Sequence, residues 1–169
     1  MKRLYLVRHA KSSWDNPEQD DIDRPLSDRG HQDAPVMGQR LSERHIHPDA
    51  ILTSPAVRAR ATCEKFAKAL GFPQQKIKIN MRLYHADEDQ LLMAIKELKY
   101  FKVETTSVMI FGHNPGLTEF ANRLLDDTID NIPTCGVVAG ELYIRSWSDA
   151  DWGCGKLEFF DFPKRERDN

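Results

Sequence analysis

Short apolar segments alternate along this chain with longer segments of helical character, and this alternation limits the folds that the chain can adopt. Residues 3–7, 49–53 and 107–112 are apolar and have the length of buried strands. A helical segment follows each of them along the chain. Strands that alternate with helices form a parallel sheet covered by helices. The sequence therefore predicts a three-layer α/β/α sandwich around a mainly parallel central sheet.

Each predicted helix begins at a recognisable capping signal, which is either a side chain that accepts from free N–H groups or such a side chain followed by proline. The signals and the helices that they predict are Ser27 for residues 27–44, Ser54-Pro55 for 54–70, Asp87 with Gln90 for 87–100, and Asn114-Pro115 for 114–125. Alternating or apolar segments predict further strands at residues 76–79, 141–147 and 156–162.

The size and charge of the chain limit its function. A length of 169 residues predicts one domain, over residues 1–163, and a charged C-terminal tail over 164–169. A net charge of −2 offers neither a nucleic acid nor an anionic membrane a basic field. Since no signal peptide or long apolar segment is evident, we expect a cytoplasmic protein. Three widely spaced cysteines predict neither a disulfide framework nor a zinc site.

Polar groups with phosphate-binding chemistry follow three of the predicted strands. Arg8-His9 follows the first strand, Arg58 lies in the helix after the second, and His113 comes directly after the strand at 107–112. The carboxyl ends of parallel strands meet at one edge, where helix N-termini also favour anions. We therefore expect a phosphoryl-binding pocket at this edge.

Five segments of the chain, in this order, resemble the histidine phosphatase superfamily, which has the phosphoglycerate mutase-like fold. The resemblance is strongest to its small SixA-type phosphohistidine phosphatases and extends from residue 6 to residue 116. The segments are LVRHAKSSW at 6–14, RPLSDRG at 24–30, SPAVRARAT at 54–62, LYHA at 83–86 and FGHNPG at 111–116.

The resemblance implies roles for individual residues. His9 is the expected nucleophile that accepts the phosphoryl group, and Arg8 and Arg58 are the expected electrostatic clamp. His113 is the expected second histidine of the pocket, which donates to a phosphate oxygen. Ser12 and Asn114 are the other residues expected to bind substrate. Asp15 lies near Ser12, but a carboxylate repels phosphate.

The chemistry of phosphoryl transfer supports these assignments. The reaction requires positioning and the stabilisation of spread negative charge, for which the planar, permanently charged arginine is suited. A nucleophilic histidine must be neutral, and two nearby arginines would lower the pKa of His9. A backbone carbonyl that binds its other ring nitrogen would fix its tautomer.

The general acid is less clear, and the candidates lie in the segment 83–89. Asp87 is also explained as a helix cap and Glu88 as a first-turn charge, so His85 is the preferred acid. A phosphoramidate needs less assistance than an ester, because its nitrogen is readily protonated. The acidic run at 20–23 is interpreted as solvated charge, and we expect no metal or other cofactor.

The sequence thus predicts a metal-independent phosphatase that works through a phosphohistidine intermediate. The preferred substrate is phosphohistidine on a protein, because no large insertion covers the predicted pocket. A phosphatase of a small phosphorylated metabolite and a non-catalytic phospho-binding module are the alternatives, and a mutase ranks last. We expect a monomer, and neither a nucleic acid nor a membrane as partner.

Overall fold

A six-stranded sheet runs through the structure, a computed structural model that describes residues 1–100 and 104–164. The strand order is β3-β2-β4-β1-β5-β6. The strands are β1 (Lys2–Arg8), β2 (Ala50–Thr53), β3 (Lys78–Ile79), β4 (Ser107–Gly112), β5 (Val137–Leu142) and β6 (Gly155–Asp161). The first four strands in this order are parallel, whereas β5 and β6 are antiparallel. The predicted mainly parallel sheet is confirmed.

Two helices cover each face of the sheet, and the alternation of side chains along β1 shows why. Tyr5 and Val7 are buried on the face covered by α1 (Asp28–Glu43) and α2 (Val57–Leu70). Leu4 and Leu6 are buried on the opposite face, under α3 (Glu88–Lys96) and α4 (Gly116–Leu125). Successive side chains of a strand point to opposite faces, so an apolar run fills both cores. The predicted three-layer sandwich is confirmed.

Two of the four predicted helix caps are confirmed and two are wrong. The Ser27 and Asp87 side chains accept from the backbone N–H groups of Gly30 and Gln90. In contrast, α2 begins at Val57 and α4 at Gly116, and neither has a side-chain cap. The Asn114 side chain still accepts from the N–H of Thr118 in the first turn of α4 at 3.2 Å, and Ser54 Oγ accepts from the N–H of Ala56 just before α2 at 3.2 Å. Both side chains also bind other parts of the candidate site, as described below.

Two predicted boundaries are also wrong. The strand predicted at 141–147 is β5 (Val137–Leu142), which begins earlier because its buried Val137 and Val138 pair with β1. It ends earlier because Ser146 caps a 3-10 turn with Asp149. The helix α3 ends at Lys96, and a 3-10 turn follows over Glu97–Tyr100. Of the predicted tail, only Lys164 lies within the described residues.

The three cysteines, Cys63, Cys135 and Cys154, are free thiols, and burial raises the pKa of each. A raised pKa keeps a thiol protonated and unreactive at neutral pH. None of the helices in residues 1–100 and 104–164 is long and apolar enough to cross a membrane.

Candidate active site

His9 directly follows the central strand β1, and neighbouring elements hold its backbone on several sides. Its N–H donates to the carbonyl of Gly112 at 3.1 Å, and its carbonyl accepts from the N–H of Cys135 at 3.0 Å. The next N–H, that of Ala10, donates to Oγ1 of Thr62 on α2 at 2.9 Å. Because β4, α2 and the turn before β5 all contribute, the position of His9 depends on the whole sheet edge.

The His9 imidazole is buried, and its geometry defines its protonation. Its Nδ1 lies 2.7 Å from the carbonyl oxygen of Ala10. A carbonyl oxygen only accepts, so Nδ1 carries the hydrogen and Nε2 keeps a free lone pair. Burial lowers the pKa of His9 to about 4 against the opposing effect of this hydrogen bond, and Arg58, Arg8 and Arg24 lower it further. The imidazole is therefore neutral near neutral pH, and its Nε2 is unprotonated.

Arg58 projects from the first turn of α2, and each of its two terminal nitrogens donates to Asp21. Its Nη1 donates to the Asp21 carbonyl at 2.7 Å, and its Nη2 to Oδ2 of Asp21 at 3.0 Å. The same carboxylate accepts from Arg24 at 3.1 Å, from the Tyr84 hydroxyl and from His85. Burial alone would raise the pKa of Asp21, but these hydrogen bonds hold it well below its usual range.

Arg24 connects the first loop to this cluster. Its Nη2 donates to Oγ of Ser12 at 2.6 Å, and its Nε donates to the carbonyl of Ser13 at 3.1 Å. Its guanidinium lies 3.2 Å from the centre of the Trp14 ring, which is 71% exposed. The loop thus presents a cation and an aromatic ring together at the mouth of the site.

Arg8 is held by the loop before β5. Its Nη1 donates to the carbonyl of Ile132 at 2.9 Å, while its Nε is buried without a partner. Asn114 supports the same loop, because its amide nitrogen donates to Ile132 and Asn131 at 2.9 Å each. An unpaired buried N–H is costly, and an incoming oxyanion would satisfy it.

His113 lies beside His9, with ring centroids 5.2 Å apart. Its Nε2 is 2.7 Å from Oγ of Ser54, and its Nδ1 is buried without a partner. Burial lowers the pKa of His113 to about 3, and His9, Arg58 and His85 contribute to this shift. His113 is therefore neutral, and one of its ring nitrogens has no hydrogen-bond partner.

Tyr84 and His85, in the turn before α3, lie beside His113. The His85 ring centroid lies 5.2 Å from that of His113, and its Nε2 lies 3.1 Å from Oδ2 of Asp21. His85 has a left-handed backbone conformation (φ 52°), which a residue with a side chain seldom adopts. The turn passes so close to α4 that a Cβ at Gly116 would lie 1.9 Å from the Ala86 carbonyl oxygen. Glycine at 116 is thus required for this approach.

Together these residues lie at one edge of the sheet, and their chemistry suits the binding of an anion. Three arginines and one carboxylate surround two neutral buried histidines, and unpaired groups remain on Arg8 and His113. The residues that the structure describes contain no cluster of three or more metal-ligating side chains. A cavity of about 580 Å³ lies at the other edge of the sheet, near Arg3 and Arg44, and contains none of these groups.

Comparison with known proteins agrees with this chemistry. Residues 4–87 match the profile of the histidine phosphatase superfamily (branch 1). An uncharacterised chloroplastic protein of Arabidopsis thaliana is 34% identical over 154 residues, which cover 88% of this chain and 70% of that protein. The chain belongs to the histidine phosphatase superfamily.

Solved structures place this superfamily member with the SixA-type proteins. A protein from Agrobacterium tumefaciens assigned as the phosphohistidine phosphatase SixA is 28% identical, with a TM-score of 0.77 over 96% of this chain and 98% of that one. The protein histidine phosphatase SixA in complex with tungstate is 21% identical and shares the fold, with a TM-score of 0.80 over 95% and 97% of the two chains.

The superfamily domain brings the predicted residues Arg8, His9, Arg58, His113 and His85 to one edge. Ser12 contacts Arg24 there. The Asn114 amide nitrogen donates to the loop at residues 131–132, and its Oδ1 accepts from the hydroxyl of Thr118. Its predicted role in binding substrate stays a prediction.

The sequence interpretation missed Asp21, Arg24 and Tyr84 as members of the site. Asp21 lies in the acidic run that was expected to be solvated, and this expectation is wrong for Asp21. Arg24, three residues further along, pairs with it, and this spacing was the one local signal for the interaction.

Proposed function

We propose that this protein is a metal-independent phosphatase that uses His9 as its nucleophile and removes phosphate from phosphohistidine on a protein. One observation carries the proposal. The hydrogen bond from His9 Nδ1 to the Ala10 carbonyl leaves the lone pair of Nε2 free in a pocket surrounded by arginines. A module that only binds phosphate needs the arginines but has no use for a nucleophile held in this way.

The reaction has two displacements at phosphorus. In the first, His9 Nε2 forms a P–N bond while the bond from phosphorus to the leaving group breaks, and the leaving group retains the electron pair. In the second, a water oxygen attacks, the His9 P–N bond breaks, and inorganic phosphate departs. Splitting the hydrolysis in this way replaces one difficult step with two easier ones.

The arginines and His113 stabilise the charge that spreads over the phosphoryl oxygens. Arg8 has an unpaired Nε and His113 an unpaired Nδ1, and such fixed donors stabilise the transition state without rearranging. Permanently charged guanidinium groups can supply this stabilisation without a metal ion.

Exposure at the mouth of the site supports a protein-borne substrate. The side chain of His85 is 54% exposed and Trp14 is 71% exposed, so a side chain on another protein can approach the cluster. The SixA similarity supports the same substrate class. A small phosphorylated metabolite remains the alternative, and the relative rates on the two kinds of substrate distinguish them.

The test compares wild type, His9→Ala and His31→Ala in excess EDTA, with para-nitrophenyl phosphate as substrate. His31 is an exposed histidine on α1 and serves as the matched control. We expect His9→Ala to lose about 1000-fold or more of kcat, and His31→Ala to match wild type. Turnover that requires metal, or that survives in His9→Ala, would overturn the proposal.

The second arm compares kcat/KM on a phosphohistidine peptide and on a phosphoserine peptide of the same sequence. A higher value on phosphohistidine supports the proposed substrate class. A higher value on phosphoserine or on free phosphorylated metabolites would overturn it. A folded protein that binds tungstate but turns over none of these substrates would be a binding module.

A further inference from the structure

The carboxylate of Asp21 lies inside a site built to bind anions, and the proposed reaction has so far given it no part. Its Oδ2 accepts from Arg58 at 3.0 Å, from His85 at 3.1 Å and from the Tyr84 hydroxyl. Its Oδ1 accepts from Arg24 alone among the described residues. A carboxylate oxygen has about two acceptor directions, and the Asp21 side chain is 42% exposed. One acceptor direction of Oδ1 is therefore open to an incoming N–H.

The charges of the site explain why a carboxylate is tolerated there. Arg8, Arg24 and Arg58 contribute three positive charges and Asp21 one negative charge. The two remaining positive charges match a phosphoryl dianion. A substrate with a further negative group beside its phosphate would meet Asp21 and be repelled, whereas a neutral or cationic leaving group would not.

The position of Asp21 suits contact with the leaving group. His113 has its ring centroid 5.2 Å from both His9 and His85, and Asp21 accepts from His85. In-line displacement places the leaving group opposite the nucleophile. On the proposal made below, the leaving group departs toward His85 and Asp21.

We propose that Asp21 is a specificity-determining residue that selects phosphoramidate substrates through the free acceptor of Oδ1. In a phosphohistidine whose imidazole ring is protonated, one ring nitrogen carries phosphorus and the other carries a hydrogen. When the P–N bond breaks, the electron pair stays on the first nitrogen, and the retained hydrogen makes the product a neutral imidazole. Asp21 accepts from that N–H and so favours the protonated, reactive substrate. This inference rests on the proposed function.

Asp23 provides a matched control for the local charge. It lies in the same 3-10 turn (Asp21–Asp23) but is exposed, and no cation of the site pairs with it among the described ion pairs. Asp21→Asn and Asp23→Asn remove the same charge two residues apart. Only the first change removes a carboxylate from the site.

The experiment measures kcat/KM of wild type, Asp21→Asn and Asp23→Asn on a phosphohistidine peptide and on para-nitrophenyl phosphate, from pH 5 to pH 9. We expect Asp21→Asn to lower the phosphohistidine value by about tenfold or more, with a much smaller change on the ester. The loss should be greatest at the acid end, where the substrate imidazole is protonated. Asp23→Asn should match wild type on both substrates.

Two results would overturn the inference. If Asp21→Asn lowers kcat/KM equally on both substrates, Asp21 only orients the arginines. If the variant raises kcat/KM equally on both, Asp21 competes with phosphate. Tungstate binding by calorimetry shows whether each variant keeps a folded clamp, and Asp21→Glu, which keeps the charge, replaces Asp21→Asn if that variant does not fold. If the wild-type protein does not turn over the ester, the proposed function itself fails. That result is distinct from a failure of the inference about Asp21.

Discussion

The Oγ atom of Ser54 lies 2.7 Å from Nε2 of His113, although 59 positions separate the two residues along the chain. The same oxygen accepts from the N–H of Ala56 at 3.2 Å, so its own hydrogen is free to be donated to His113. With Nε2 as the acceptor, the ring hydrogen lies on Nδ1, which is the nitrogen without a partner. In the proposed reaction, Ser54 thus orients His113 as a donor to the phosphoryl group.

Replacing Ser54 with Ala should lower kcat by about tenfold, because it removes a hydrogen bond that holds the productive tautomer. Thr53→Val is the control, since its buried hydroxyl donates to a backbone carbonyl, that of Ser54, at 3.0 Å. That variant should lose stability without a comparable loss of kcat. Steady-state kinetics and thermal melts check both, and equal kinetic losses would count against a specific role for Ser54.

Arg58→Ala should reduce kcat/KM by about 100-fold, which corresponds to the ~3 kcal/mol typical of a lost oxyanion donor. Arg58→Lys should restore little of it, because one ammonium group cannot reproduce the two donors that bind the Asp21 carbonyl and carboxylate. Arg60→Ala, which changes an exposed arginine two residues further along α2, is the control. Full rescue by lysine would show that charge alone is required.

Acid should destabilise the fold through its two buried histidines. The pKa values of His9 and His113 are lowered to about 4 and about 3, so the unfolded chain binds more protons below pH 6.5. Stability should fall as the pH drops from 6.5 to 5, by about 2 kcal/mol for each histidine. Urea unfolding at the two pH values measures the loss, and His113→Gln should lose roughly half as much. If His113→Gln loses as much unfolding free energy as wild type between the two pH values, His113 does not contribute to the acid destabilisation.

Gly116→Ala should destabilise the protein by about 1–3 kcal/mol, since the new Cβ would lie 1.9 Å from the Ala86 carbonyl oxygen. Gly112→Ala is the comparison, because the nearest atom to a Cβ there is Leu117 Cδ1 at 4.0 Å. Thermal or urea unfolding checks both variants. Similar melting temperatures would mean that the 84–87 turn yields easily.

The sequence predicted the sheet and the convergence of His9, Arg58 and His113 because both depend on simple geometry. Strands buried on two faces require apolar runs, and the carboxyl ends of parallel strands share one edge. The role of Ser54 was not predictable in the same way. A serine before a proline is compatible with a helix cap and with a contact to a histidine. Which contact Ser54 makes depends on His113, which is distant in sequence.

Asp21 was missed for a related reason. An acidic run in a polar loop is usually solvated, and the site partner Arg58 is 37 positions away. The decisive contacts join the loop to Arg58 on α2 and to Tyr84 and His85, so they exist only in the packed domain. Local patterns predict elements well, but side-chain partners across elements depend on tertiary packing.

The loop that carries Ser13, Trp14 and Asp21 is closed at its base by an isolated bridge between Ser12 and Leu26. His9 is held by other elements, namely β4, α2 and the turn before β5. Changes of length or sequence within this loop leave these supports of the His9 backbone untouched, as is general for loops on a rigid scaffold. In the proposed phosphatase, evolution can therefore vary the surface that meets the substrate while His9 keeps its position.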